Sequence, residues 1–454
     1  FQDGTVKCIE DEIPFEVPEG WMWARLNDIY NFIDYRGATP TKITNGIPLV
    51  TAKNVKSGYI DYTIDDYISE EEFKERQQRG ISKKGDILFT TEAPLGNAAL
   101  ADMEKFSAGQ RLITFQQYGS KNELINYVML MFILSDFFQQ QLYVNKTGST
   151  VAGIKAAILK TLWIPVPPYN EQLRISNTLK SAINLIDSIS QNKEILSTSI
   201  SNTKYKILDL AIRGKLVLQD PNDEPASVLL ERIRAEKEEL IKHGKIKRDK
   251  KESVIFKGDD NSYYLRTGGV EESLENWRFD DLPETWEICC LGELCDYGDC
   301  INVNTEDIAE DAWILDLEDI EKDTGMVLKK VTKAQRNSVS TKHKFHFGQV
   351  LYSKLRPYLN KVVLSDADGY CTSEILPLEF KNCVLPEYAR YYLMSSTFIT
   401  YANHCSYGVK MPRLGTTDGK KAIFSLPPLS EQKRIVETID FCFMQLNKIS
   451  EALA

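Results

Sequence analysis

The sequence predicts two α/β (α+β) globular halves in tandem duplication, separated by long antiparallel coiled-coil helices. Three observations carry this. First, the chain repeats itself: "PEGWMWARLNDI" from Pro18 returns as "PETWEICCLGEL" from Pro283, and "PPYNEQLRI" from Pro167 returns as "PPLSEQKRI" from Pro427. Between them, "KKGDILFTTEAPLGNAAL" from Lys83 is echoed by "HFGQVLYSKLRPYLNKVVL" from His346, and "NYVMLMFILSDFF" from Asn126 by "EYARYYLMSSTFI" from Glu387. A period this long is a duplicated domain, not a solenoid of short units. Second, short β-type runs bounded by turn signals alternate with helical patterns in each half. Third, each half is followed by an apolar heptad.

The first half, residues 1–169, holds the runs "IPLVTA", "DILFTT" and "RLITFQQ", then an aromatic helix over Asn126–Leu142. Residues 170–252 form the central helical region. In it Ile175, Leu179, Ala182, Ile186, Ile189, Lys193, Leu196, Ile200, Thr203, Ile207 and Leu210 recur at alternating spacings of four and three. A helix over Asn170–Arg213 at 1.5 Å per residue is about 60–65 Å long. Asn170 and Ser430 are the expected N-caps, with Glu171 and Glu431 favouring the positive helix end. "DPNDEPAS" from Asp220 is a turn-rich connector, and the stretch from Pro225 reads as a charged amphipathic helix fading into a basic tail. Residues 253–282 read as a polar linker. The second half, residues 283–429, holds "QVLYSKL", "KVVLS" and "ILPLEF" and a second aromatic helix over Glu387–Ala402. Residues 430–454 form the distal helix, with Ile435, Ile439, Cys442, Leu446, Ile449 and Leu453 in the phase of the first seam. Packing of the two seams on each other gives an antiparallel pair.

A chain of 454 residues with 43% hydrophobic and 26% charged residues has the composition of a globular protein. No apolar run approaches the roughly 20 residues that span a bilayer. The nine cysteines comprise Cys8 and eight in the second half, so the repeats share no disulfide framework. Cys290, Cys295 and Cys300 lack a CxxC knuckle and a neighbouring His, so no metal site is expected. No P-loop, dinucleotide fingerprint, HExxH or GxSxG motif is present.

The net charge is −10, but its distribution matters more than its sum. Thr324 to Ser365 contains no acid and nine basic residues, and the stretch between Asp136 and Glu171 is likewise acid-free with three lysines. Acids concentrate at Glu10–Glu19, Asp61–Glu75 and Glu271–Asp323. Basic loops rich in small polar residues suit phosphate and base-edge contacts on DNA. The candidate contacts in the first half are Lys53, Asn54, Lys56, Thr91, Arg111, Lys146, Gly148, Ser149, Thr150 and Lys155. Those in the second are Arg336, Lys342, Lys344, Ser353, Lys354, Arg356, Tyr358, Lys361, Lys410 and Arg413. His343 and His346 lie in the basic stretch as polar contacts or bystanders.

These phrases, together with "IPLVTAKNVKSGYI" from Ile47, "GSTVAGIKAAILKTLWIPVPPYNEQLRI" from Gly148 and "AIRGKLVLQDPNDEPASVLLERIRAEKEELI" from Ala211, resemble the specificity (S) subunits of type I restriction–modification systems. The resemblance runs along essentially the whole chain. It departs where "GVKMPRLGTTDGKKAIFSLPP" replaces the Ser/Thr-rich loop of the first half. It implies two target-recognition domains, each reading half of a bipartite DNA site, and no catalytic group in this subunit. Two methyltransferase subunits would bring S-adenosylmethionine and methylate adenine, and two restriction subunits would bring ATP with Mg, all in a prokaryotic cytoplasm. It also implies that a copy of the "ILDLAIRGKLV…EKEEL" segment precedes Phe1. Two other readings stay open: the recognition portion of a fused methyltransferase–endonuclease, and a coiled-coil scaffold that binds proteins.

Overall fold

The computed structural model describes residues 8–453 except 9, 36–38, 64–65, 119–123, 149–151, 246–251, 261, 275–281 and 337–338. It divides into two compact units, residues 1–190 and 191–454.

Unit 1 opens with β1 (Met22–Arg25), a single turn α1 (Leu26–Ile29) and β2 (Tyr30–Asp34). Next come β3 (Ile47–Val50), β4 (Tyr67–Ile68), α2 (Glu70–Arg76), β5 (Ile87–Thr91), β6 (Leu95–Leu100), β7 (Ser107–Ala108) and β8 (Leu112–Gln117). Helices α3 (Asn126–Ile133), α4 (Asp136–Val144) and α5 (Ala156–Leu159) lead to β9 (Trp163–Val166) and into α6 (Tyr169–Ile212). An antiparallel sheet in the order β2-β8-β5-β6 forms the centre, flanked by β4-β3-β7 and by the pair β1-β9. Every residue of β5 is buried because both of its faces are covered. Ile87 and Phe89 point into the core shared with Met129, Phe138 and Leu142, while Leu88 points into the one built by Ile33, Val50 and Phe106. Alternation along the strand therefore serves two cores at once.

Unit 2 repeats this plan with additions. It takes the C-terminal part of α6, then α7 (Ala226–Lys242), β10 (Ser253–Lys257), β11 (Tyr263–Thr267), β12 (Val270–Ser273), β13 (Glu287–Cys290) and α8 (Leu291–Leu294). It continues through β14 (Asn302–Val303), β15 (Trp313–Leu315), β16 (Val331–Thr332), β17 (Lys342–Phe345), β18 (Val350–Ser353), β19 (Val362–Leu364), β20 (Gly369–Thr372) and β21 (Ile375–Leu378). Then follow α9 (Pro386–Leu393), α10 (Ser396–Cys405), α11 (Thr416–Lys421), β22 (Ile423–Leu426) and α12 (Leu429–Leu453). The sheets are β19-β18-β21, the five-stranded β14-β17-β20-β15-β16, and the pair β13-β22. Strand β18 divides its side chains as β5 does: Val350 and Tyr352 enter one core and Leu351 another.

Several expectations change. The stretch 253–282 is not only a linker: β10, β11 and β12 form an antiparallel meander, because Ile255, Leu265 and Leu274 bury themselves with Ile288, Cys290 and Ile423. Each aromatic helix is broken in two. Ser135 and Ser395 hold extended backbone, and their hydroxyls accept from Phe138 N (3.5 Å) and Phe398 N (3.3 Å), starting a new helix. Asn170 and Ser430 lie inside the first turn of their helices rather than at the caps, since α6 and α12 begin at Tyr169 and Leu429. Helix α6 ends as expected at Gly214, whose φ of +65° allows Lys215 N to donate back to Leu210 O at 2.9 Å.

The heptad seam is covered over only part of its length. In unit 2, Lys204 Nζ reaches Asn447 Oδ1 at 2.7 Å, and Gln219 Nε2, beyond the helix end, reaches Glu431 Oε1 at 2.6 Å, so α6 and α12 run antiparallel. Ile200, Leu208, Ala211 and Ile212 are buried there, and Ile435 and Ile439 belong to the same core as the last three. Upstream, Ile186, Ile189 and Leu196 are exposed.

The Glu-Gln pair shared by the two repeats has a structural task. Gln432 accepts from Leu385 N (2.8 Å) and donates to Cys383 O (2.9 Å) and Pro427 O (3.0 Å). Gln172 accepts from Ile125 N (2.8 Å) and donates to Pro167 O (2.9 Å). Each amide thus ties the start of a long helix to the start of an aromatic one. Gln432→Ala should lower the stability of unit 2 by about 1–3 kcal/mol, since buried backbone groups lose their partner. Urea denaturation checks this, and an unchanged midpoint would refute it. A second test uses His346, whose Nδ1 donates to Phe347 O (2.8 Å) and whose Nε2 pairs with Glu379 at 2.6 Å. Its pKa is raised, first by the Phe347 carbonyl and then by the Glu379 carboxylate. The stabilisation is therefore full below the ordinary imidazole range and disappears as pH rises through the folded value. His346→Gln should lower the denaturation midpoint at about pH 5.5 and leave it unchanged at about pH 8.5.

Candidate nucleic-acid interface

In both units three chain segments meet at one crossing. In unit 1, Thr91 N donates to Arg111 O (2.9 Å), Ile154 N donates to Thr91 O (3.0 Å), and Glu92 bridges to Gly153. In unit 2, Lys354 N donates to Glu374 O (3.0 Å), Leu414 N donates to Lys354 O (3.0 Å), and Leu355 bridges to Arg413. The end of one strand, the start of another and the loop behind the aromatic helices are thereby fixed together twice. Each crossing also carries an Arg–Glu ion pair, with the carriers exchanged. In unit 1, Arg111 Nε lies 3.0 Å from Glu92. In unit 2, Glu374 holds the position of Arg111, and Arg413 on the loop gives it Nη2 at 2.9 Å and Nε at 3.0 Å.

Many candidate side chains gather here. Lys354 is half-buried and points no polar atom at a described partner, and Lys410 is exposed on the loop that Arg413 closes. Arg356 has a φ of +51° immediately before Pro357; its backbone N donates to Pro412 O at 2.7 Å, and its Nε is buried without a partner. Tyr358 is exposed in the same turn. In unit 1, Lys146 sits over the Tyr143 ring, Gly148 has a φ of +93°, and Lys155 is exposed at the start of α5. Ser149 and Thr150 lie outside the described residues. Lys53 is exposed on the turn after β3, and Lys344 is exposed on β17.

Other candidates are spent inside the fold. Asn54 is 3% exposed: its amide oxygen accepts from Thr51 N and Thr51 Oγ1, and its Nδ2 donates to Asp61 O. Thr91 Oγ1 donates to Arg111 O, and Ser353 Oγ to Leu355 O, both buried. Lys56 lies 3.9 Å from Asp61. Lys342 is 2% exposed and donates to Ser340 Oγ; burial lowers its pKa. Lys361 donates to Leu317 O. Arg336 is enclosed by Asp316, Glu318 and Asp319. Lys329, Lys330 and Lys333 also pair with acids. Four of the nine basic residues of the acid-free run thus pair with acids, three of them in the acidic run before it. His343 is buried, with Nδ1 2.8 Å from Ile375 O.

Sequence reasoning missed Tyr407 and Val409, both exposed beside Lys410, and Tyr143 beside Lys146. A signal was present: Tyr407 and Gly408 interrupt an otherwise small and basic loop. It also missed Glu92 and Glu374, which could be recognised only once the crossing was assembled. Among the described residues no helix is long and apolar enough to cross a membrane, and no group of His, Cys, Asp and Glu could hold a metal ion. Cys290 and Cys295 are buried in apolar cores, and burial pushes the Cys300 thiol up.

Similarity to known proteins follows the duplication. The sequence model described as "Type I restriction modification DNA specificity domain" matches residues 18–197 and 283–452. The chain is 26% identical to the EcoAI specificity subunit of Escherichia coli, over 97% of this chain and 80% of that protein. It is 22% identical to the EcoDI specificity subunit of the same species, over 82% and 75%. A putative MjaX specificity subunit of Methanocaldococcus jannaschii is 30% identical over 42% of this chain and 46% of its own length. The fold is similar to the HsdS subunit from Thermoanaerobacter tengcongensis, with a TM-score of 0.52, 16% identity, and 97% and 93% of the two chains covered. It is also similar to a chain from a structural study of complex assembly in the type I R-M system, with a TM-score of 0.57, 17% identity, and 97% and 94% covered. With two matched domains, one in each repeat, the chain belongs to the specificity subunits of type I restriction–modification systems.

Proposed function

We propose that each unit of this specificity subunit reads one half of a bipartite duplex site through its loop crossing. The observation that carries this is the duplication of the crossing on one scaffold, with different side chains around it: Arg111 and Lys155 in unit 1, Lys354, Lys410 and Arg413 in unit 2. A constant frame with variable edges suits two different half-sites. The antiparallel helices set the spacer between half-sites, and their exposed apolar residues dock two methyltransferase subunits. In this reading the chain supplies no catalytic group. S-adenosylmethionine enters with the methyltransferase subunits, and ATP with Mg enters with restriction subunits, in the cytoplasm of a prokaryote. Relatives from Escherichia coli and Methanocaldococcus jannaschii support the setting.

With a net charge of −10 and four of the nine cations of the basic run paired internally, few cations are left for phosphate. The isolated chain should therefore bind DNA weakly and gain specificity with its methyltransferase partner. Methylome sequencing of the host with and without the gene tests the whole reading: a bipartite methylated motif that disappears with the gene is expected, and an unchanged methylome overturns it. Within the assembled complex, Lys354→Ala or Lys410→Ala should cost about 1–3 kcal/mol if the side chain reads a base, and only for the second half-site. Binding to matched, half-matched and unrelated duplexes separates this from an even loss, which marks a phosphate contact. Asn54→Ala should instead lower the melting temperature of unit 1, by about 1–3 kcal/mol in stability, because it strips a buried turn of its bonds.

A further inference from the structure

The same backbone turn follows the crossing strand in both units, and the side chain it carries differs. In unit 1 it is Ala93 before Pro94, at a φ of +48°, and in unit 2 it is Arg356 before Pro357, at a φ of +51°. An L side chain disfavours this left-handed region, and a following proline pushes the residue before it towards extended backbone. Glycine would take the conformation with less strain. In unit 2 the fold holds the turn from several sides. Arg356 N donates to Pro412 O at 2.7 Å, Leu359 N donates to Arg356 O at 2.9 Å, and the preceding Leu355 bridges to Arg413. At the far end of the turn, Asn360 Nδ2 donates to Met394 O at 3.3 Å.

The globular half over residues 283–429 has four arginines. Three of them give their guanidinium groups to the fold. Arg336 meets Asp316 at 2.8 Å and Asp319 at 2.5 Å, Arg413 meets Glu374 at 2.9 Å, and Arg390 donates to Thr324 O at 2.9 Å. Arg356 does not. Its Nε is buried with no hydrogen-bond partner, and no acid or carbonyl among the described residues takes the rest of its guanidinium. A buried cationic donor without an acceptor is unfavourable, so this head group is suited to an acceptor from outside the chain. The side chain is half-buried on a pinned backbone, and it has less freedom to lose when that acceptor arrives.

We infer that Arg356 is the side chain by which unit 2 reads a guanine in its half-site. The inference rests on the reading of unit 2 as the recogniser of one half-site, and it deepens that reading to one residue and one base. A guanidinium presents two parallel N–H donors in one plane. On the major-groove edge guanine alone offers two acceptors, O6 and N7. Adenine sets an acceptor beside a donor, thymine an acceptor beside a methyl, and cytosine presents a donor. A phosphate accepts the same fork, but it is served equally by a cation on a loose loop. Reading a base edge needs the donors held within about 0.5 Å, and the pinned turn supplies that placement. Unit 1 has only the methyl of Ala93 at this position, so other side chains read its half-site.

The test uses the complete methyltransferase complex, assembled with the wild-type chain, with Arg356→Ala or with Arg356→Gln. Alanine is the residue that unit 1 carries at this turn, and glutamine keeps a polar side chain while losing the charge and the guanidinium fork. Thermal melts establish that both fold. Methylation rates are measured on duplexes that carry each base in turn at every position of both half-sites. The wild-type complex should require guanine at one position of one half-site. Both variants should lose about tenfold or more of that preference, with every other position and the other half-site unchanged. Unchanged preferences would overturn the inference, and so would an even loss over all duplexes, which marks a phosphate contact. Either result leaves the reading of half-sites standing. A wild-type complex that methylates no bipartite motif would overturn both.

Discussion

One side-chain amide organises each repeat. Gln172 and Gln432 sit in the first turn of the long helices, and both are buried. An amide offers two donors and a two-lone-pair acceptor in a fixed plane, so it can satisfy loose backbone groups from several segments at once. Here it joins the Pro-Pro entry of the long helix to the first turn of the aromatic helix. That junction fixes where the helix leaves the globular core. The strand pairs β1-β9 and β13-β22 sit directly ahead of it and share its register. Divergence of the loops therefore leaves the frame intact.

The duplication, the strands β5 and β18 and the limits of α6 were legible because each leaves a periodic or repeated trace. "DILFTT" and "QVLYSKL" read as strands, and Gly214 read as a stop, for reasons confined to a few neighbouring residues. The break in the aromatic helices was legible in principle, since Ser135 and Ser395 occupy matching places, but apolar spacing concealed it. The meander at 253–273 was missed because its burial depends on Ile288 and Ile423, which are distant in sequence.

The candidate interface was legible as loops and not as side chains. Basic residues were chosen because no acid lay near them in sequence, yet Arg336 meets Asp319, and Lys330 meets Asp366. Charge is screened over about 8–10 Å of space, not over residues of chain. A basic run that follows an acidic run in a compact domain has that partner available, and the fold uses it. Lys354, Lys410 and Lys155 stay available because they stand on the crossing itself, where backbone bonds leave side chains outward.

The exchanged carriers of the Arg–Glu pair bear on how such proteins can be recombined. Unit 1 places the arginine at the strand start and the carboxylate on the strand end, whereas unit 2 places the carboxylate at the strand start and the arginine on the loop. A graft of the unit 2 loop onto the unit 1 strand edge would set Arg413 against Arg111, and the converse graft would leave Glu374 without its arginine. Like charges in contact disfavour the hybrid. The crossing thus works as a block, and the Pro-Pro junctions that both repeats share lie outside it.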